Sequence, residues 1–267
     1  MNKIKRYMKL FILLMEYSLK EQVVYKFNFI MGVISDVIYL GISLVYYFLF
    51  YVSDVKIRGL SSNELLLFVG TNYLIVSVYV TIFYRNIHLE LPANIVSGNF
   101  DLLLIKPISI QFLSSFRHGE FATNLAGIIG GVIIIIVSWT KLKIPFTIFN
   151  LFMYLVLICI GIMTMYAFFL ILHTLCFYLI TIQNFSNFIW EIMVINKIPM
   201  FIYNKTIQFF GIFIFPIFLF SNLPYIFLCQ LRSYKFVTVC VITSFVFFIL
   251  SRLCWKKAVN RYSSASS

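Results

Sequence analysis

The sequence is poor in charge. Only 11% of its 267 residues are Asp, Glu, Lys or Arg, 62% are hydrophobic, and mean hydropathy is +0.97. A soluble domain carries roughly a quarter charged residues. A water-soluble fold of this length could not hide so much apolar side chain, so lipid must be the solvent for most of it. Catalytic signatures are missing too. There is no Gly-x-x-x-x-Gly-Lys-[Ser/Thr] run to cradle nucleotide phosphates, no His-Glu-x-x-His, no Asp-x-x-Asp and no Gly-x-Ser-x-Gly. His88, His118 and His173 are scattered, and no Cys-x-x-Cys occurs. Cys159, Cys176, Cys229, Cys240 and Cys254 lie in or beside apolar stretches and read as buried thiols. No catalytic residue, metal site or cofactor is therefore expected. The basic start Lys3-Ile4-Lys5-Arg6 is followed by further charges at Lys9, Glu16, Lys20 and Glu21 without an Ala-x-Ala site, which argues against a signal peptide.

What is present suits a bilayer. Phe (31) and Tyr (17) are abundant, as lipid contact and interfacial belts require. The net charge of +12 sits between apolar runs, which points to anionic headgroups as partner rather than nucleic acid. These features predict an all-α integral membrane protein with six transmembrane helices, over 29–51, 65–84, 121–139, 148–172, 176–196 and 237–254. Residues 2–26 mix charge with Ile4, Met8, Phe11, Ile12, Met15 and Leu19 at spacings of three and four, which predicts an amphipathic helix at the membrane interface. A frayed tail is the rival reading. From Ile144 to Trp190 there is no Asp, Glu, Lys or Arg. One helix of that length would be about 70 Å long against about 30 Å of hydrocarbon, so it must turn back. The turn falls between His173 and Asn187. Region 197–228, broken by Pro199, Pro216 and Pro224, reads as short helices dipping into the outer face, with a seventh full span as rival.

Orientation follows weakly from charge. With the N-terminus inside, the inner segments hold 13 of the 21 Lys and Arg residues, including Lys256 and Lys257 after the last span. Asp36, the only charge in the first span, faces either a pathway or partner subunit, or the bundle and its inner interface. Arg117 and Glu120 are close enough in sequence to pair.

The stretch 85–118 carries the most local information. Pro92 suits the first turn of a short helix and Gly98 its C-terminal cap, while a second start at Asn99 or Asp101 leads to the stop at Lys106-Pro107. A short rigid helix with an apolar face could dock in a groove of a soluble partner; an ordinary solvated loop is the rival reading.

Ile95-x-x-Gly98-x-x-Asp101-x-x-Leu104-x-Lys106-Pro107 resembles a motif in the membrane permease subunits of type-2 ABC exporters. Tyr25-Lys26-Phe27-Asn28-Phe29 is similar to that family's Tyr-Arg-x-Asn-Phe, with Lys for the usual Arg. Gly70-Thr71, Phe112 to Arg117, Ile198-Pro199, Ile202-Tyr203, Phe215-Pro216 and Leu223-Pro224 also fit. The resemblance implies a six-span permease of the cell membrane with cytoplasmic termini and an external re-entrant region before the last span. It implies a separate ABC ATPase subunit and a second permease subunit, in a homo- or heterodimer. It makes 85–118 the cytoplasmic coupling loop, with Glu90, Leu91, Pro92, Asn94, Ile95, Gly98, Asp101, Leu104, Lys106 and Pro107 as its coupling residues. The substrate is not legible: the apolar spans suggest an amphipathic one such as a peptide, an antibiotic or a lipid, with a sugar polymer as the rival. An ion-coupled secondary transporter and a membrane immunity or binding protein are the competing functions.

The missing P-loop yields a first prediction. The purified chain alone neither binds nor hydrolyses ATP, and saturable hydrolysis by rigorously pure protein contradicts this.

Overall fold

The computed structural model describes residues 3–52, 60–178 and 191–262, and every regular element among them is helical. The helices are α1 (Lys3–Val24), α2 (Lys26–Val52), α3 (Ser62–Tyr79), α4 (Leu91–Val96), α5 (Asp101–Leu104), α6 (Ile110–Phe116), α7 (Leu125–Lys141) and α8 (Ile148–His173). Three more follow: α9 (Lys205–Phe213), α10 (Asn222–Leu228) and α11 (Tyr234–Val259). Four stretches are long and apolar enough to cross a membrane: Lys26–Val45, Ser62–Val96, Ile148–Phe177 and Tyr234–Val259. The shorter apolar helix α7 has 17 residues, about 26 Å at 1.5 Å per residue. Most of the expected span 176–196 lies outside the described residues; its flanks, Thr174–Phe177 and Ile192–Lys197, are 3-10 turns.

Local chemistry explains where the long helices start. Ser61 and Glu64 form a reciprocal capping box ahead of α3, and Thr147 and Ser233 cap α8 and α11 through their hydroxyls. α7 has no such residue of its own, because Asn124 makes no side-chain cap. Asp36 of α2 does the work from across the interface. Its Oδ2 accepts from the Gly127 N–H at 3.0 Å, and the Ala126 N–H bonds the same carboxylate. The carboxylate is buried, and it is matched by the positive end of the helix it caps.

α3 and α7 pack backbone to backbone. A Cβ on Gly131 would lie 2.9 Å from the backbone nitrogen of Leu74, so only glycine permits this approach. α8 and α11 complete the bundle, joined by a hairpin of short helices. In that hairpin residues 216–228 are all buried. Phe220 contacts Phe168 and Phe169 deep in α8, whereas Phe227 contacts Phe149 at the start of α8. The hairpin thus penetrates the bundle and returns toward the end where α8 begins.

The opposite end gathers α1 and the end of α11. α1 lies against α6, with Tyr7 on Phe112 and Phe11 on Phe116, and the Tyr7 hydroxyl accepts from Ser109 N at 3.1 Å. Its stripe Tyr7, Phe11, Leu14, Ser18 and Gln22 faces the body, while Ile4, Met8, Ile12, Leu19 and Val23 form an exposed apolar stripe beside exposed Lys5, Lys9, Glu16 and Lys20. The end of α11 arrives at the same place, with Trp255 and Tyr262 against Phe100.

The trans cap yields a second prediction. Asp36→Ala costs about 1–2 kcal/mol, read as a lower midpoint in thermal unfolding of the detergent-purified chain. Asp36→Asn, which keeps an acceptor oxygen, recovers most of the loss. Equal midpoints for Asp36→Ala and the unaltered chain contradict the capping role.

Candidate coupling segment

The helix expected to end near residue 84 does not end there. α3 passes without a break into a π-helical segment, Val80–Glu90, and then into α4. Long π-helices are rare, and aromatic side chains and an ion-pair network hold this one in place. On one side Tyr79, Phe83 and His88 pack against Tyr166, Phe169 and His173 of α8. The Tyr79 hydroxyl lies 3.0 Å from His88 Nε2. On the other side Arg85 donates from Nε to Glu90 at 3.0 Å and from Nη1 to Glu120 at 3.2 Å. Glu90 is also 2.8 Å from His118 Nδ1.

Asn86 locks the same turn to the backbone, donating to the carbonyls of Ile82 and His118 and accepting from His118 N at 2.9 Å. Glu120 N donates to Thr81 O at 2.8 Å. Gln22 of α1 closes the arrangement from below. Its side-chain oxygen accepts from Phe121 N and Ala122 N, and its amide donates to Gly119 O. The turn 117–122 is therefore held by α1 and by the π-helical segment at once. The expected Arg117–Glu120 pair does not form, since Glu120 is taken by Arg85.

The ten sequence-predicted coupling residues divide by burial. Leu91, Pro92 and Ile95 are buried and anchor α4, with Pro92 in its first turn. Glu90 belongs to the ion-pair network. Asn94, Gly98 and Asp101 are half-buried, and Leu104, Lys106 and Pro107 are exposed. Gly98 has φ 75, the left-handed conformation that ends α4, and the chain closes there with Phe100 N bonded to Asn94 O. Asp101 does not cap α5, whose first turn lacks a side-chain cap. It lies beside the Tyr262 hydroxyl instead. Partial burial, with the Asp101 charge adding to it, raises the Tyr262 phenol above its ordinary pKa. Phe100, fully buried against Phe177, Trp255 and Tyr262, fastens this turn to the end of α11. A second tie runs from Arg252 of α11 to Gln111 Oε1 at 2.9 Å, and from Gln111 to the Tyr166 hydroxyl at 3.0 Å.

The outward face of the segment is apolar. Val96, Leu102 and Ile105 are exposed, Ile105 by 78%. Sequence reasoning missed Arg85, Asn86, His118, Glu120 and Gln22 as its supports. Arg85 and Glu90 are five apart, a spacing that carries no signal in an α-helix, and the others are brought together only by the tertiary fold.

The sequence model of the family described as ABC-2 family transporter protein matches residues 37–266. The chain belongs to the ABC-2 transporter family. No curated protein and no solved structure matches it. As an ABC-2 chain it is a multi-pass membrane protein and a permease of an ABC-type transport system, and its match runs from α2 to beyond α11. Of this ABC-2 chain, α1 alone among the described helices lies wholly before the matched residues, yet it supplies Gln22 to the 117–122 turn.

A third prediction follows from Gly98. Gly98→Val introduces strain of roughly 1 kcal/mol or more at this φ and loosens residues 97–106 without disturbing membrane insertion. Limited proteolysis reads the effect as faster cleavage in that stretch; an unchanged cleavage rate overturns it.

Proposed function

We propose that this chain is the membrane-spanning permease subunit of an ATP-driven exporter, moving an amphipathic substrate such as a peptide, an antibiotic or a lipid-like molecule out of the cell. ATP is hydrolysed by a separate subunit that docks on α4, α5 and the turn between them. A second permease subunit completes the pathway. Both termini are cytoplasmic, α1 lies along the inner membrane surface, and the hairpin before α11 is re-entrant from outside.

One observation carries the reading. A single helical run of 35 residues, Ser62–Val96, is about 50 Å long, while the hydrocarbon layer is about 30 Å thick. Its last dozen residues therefore project beyond the bilayer, where Arg85, Glu90, His118 and Glu120 cluster. A push on α4 acts on a membrane span through continuous helix and not through a slack loop. The exposed Val96, Leu102 and Ile105 give a soluble partner an apolar patch to grip.

An ion-coupled transporter is less well supported. It uses ionisable groups able to bind and release an ion near the midplane, and Asp36 is committed to capping α7.

The reading is tested by cysteine crosslinking. A cysteine at Asn94 crosslinks to the ATPase, and Ile105→Asp lowers substrate-stimulated ATP hydrolysis while the chain still inserts. Tags at both termini stay inaccessible from outside intact cells. If Asn94 never crosslinks and Ile105→Asp transports normally, the segment is a solvated connection and the coupling role fails.

A further inference from the structure

We propose that Arg117 is an acceptor site for a carboxylate side chain of the partner ATPase, held in a polar cleft behind α4. The inference rests on the permease reading and deepens it by naming the chemistry of one contact.

The cleft lies between α4 and α6 and is lined by Asn86, Glu90, Asn94, Ser114 and Arg117 together with apolar side chains. Every acid around it is already engaged. Glu120 is bonded to Arg85, Glu90 to Arg85 and His118, and Asp101 lies beside Tyr262. Arg117, by contrast, makes no hydrogen bond or ion pair among the described residues. A second observation points the same way. The Ser114 hydroxyl is buried, lines the cleft, and has no hydrogen-bond partner among the described residues. The Asn94 side-chain amide is also unbonded among the described residues.

Three donors therefore converge on one half-buried place: a guanidinium, a hydroxyl and a carboxamide. Buried polar groups are normally satisfied, so this set lacks an acceptor. A guanidinium fork takes a carboxylate in two parallel hydrogen bonds. Exposed Lys106 on the same segment adds to the attraction. A carboxylate reaching past α4 into this cleft holds the coupling segment on its inner side, while the apolar patch holds its outer side.

The test uses the full chain co-expressed with the ABC ATPase from its own gene cluster, captured through a tag on the chain. Arg117→Glu and the neutral Arg117→Gln should each weaken the complex by about tenfold or more, with Arg117→Lys intermediate. The unaltered complex should also loosen at high salt. Arg117→Gln guards against a merely misfolded reversal, and both variants are checked for insertion and monodispersity. Converting an acidic residue of the ATPase to Lys should restore binding to Arg117→Glu. If both variants bind as the unaltered chain does while Asn94 still crosslinks, the carboxylate contact is wrong and the permease reading stands. If the unaltered chain captures no ATPase, both fail.

Discussion

A helix longer than the bilayer is thick sets the terms for this molecule. Residues 62–96 form one run, and hydrocarbon can cover only about 20 of them. The remainder must find polar partners beyond the lipid, since a backbone leaving hydrocarbon still has every donor and acceptor to satisfy. The fold meets this demand by continuing the helix and by surrounding the emergent part with groups that suit water or charge. α1, α6, the 117–122 turn and the end of α11 all assemble on that projecting shaft. The short helices there depend on these contacts: α4, α5 and α6 have six, four and seven residues, below the length at which isolated helices persist.

Inside the bundle the same shaft is held without slack. Small residues draw α7 against α3 until backbone meets side chain. Without water to expel, such packing is what holds helices together in lipid. α2 adds a charge to this packing, its Asp36 carboxylate supplying the cap that α7 lacks. α2, α3 and α7 thus pack as a unit. α8 and α11 are tied to the projecting end by aromatic contacts at Phe169 and Trp255 and by the Arg252–Gln111–Tyr166 chain. The segment is thereby tied to α3, α8 and α11 at once.

Much of the fold could be read from the sequence, because apolar run length and capping chemistry are local. Charge-free runs announce the bundle, and Pro92 with Gly98 frames α4. The rest depends on contacts between distant residues. Nothing around residue 84 says that the helix continues, since Arg85, Asn86 and Glu90 look like the solvated start of a loop until Glu120, His118 and Gln22 arrive from elsewhere. Asp36 has the sequence signature of an isolated intramembrane carboxylate, and its partner is a helix end 90 residues away, which no local pattern encodes. Arg117 and Glu120 have the spacing of a pair, yet Arg85 outcompetes Arg117 for the acid.

That competition is bound up with the unusual helix register. In an α-helix, residues five apart sit about 140° apart around the axis, because 3.6 residues make a turn. Arg85 and Glu90 would then point to different sides. In the π-register bonding runs from residue i to i+5, as in Leu91 N to Asn86 O, and the two side chains fall on one face and meet at 3.0 Å. The ion pair and the register therefore select each other. Glu120 and His118 add charge-assisted bonds on that face, and Tyr79, Phe83 and His88 pack the other against α8. Together these contacts offset the poorer geometry of the wide helix. The orientation of α4, and with it the apolar patch at Val96, Leu102 and Ile105, follows from that register. Any group that competed for Glu90 would act on the direction of the coupling segment as well as on one salt bridge, because the face that binds the charge is also the face that fixes the turn.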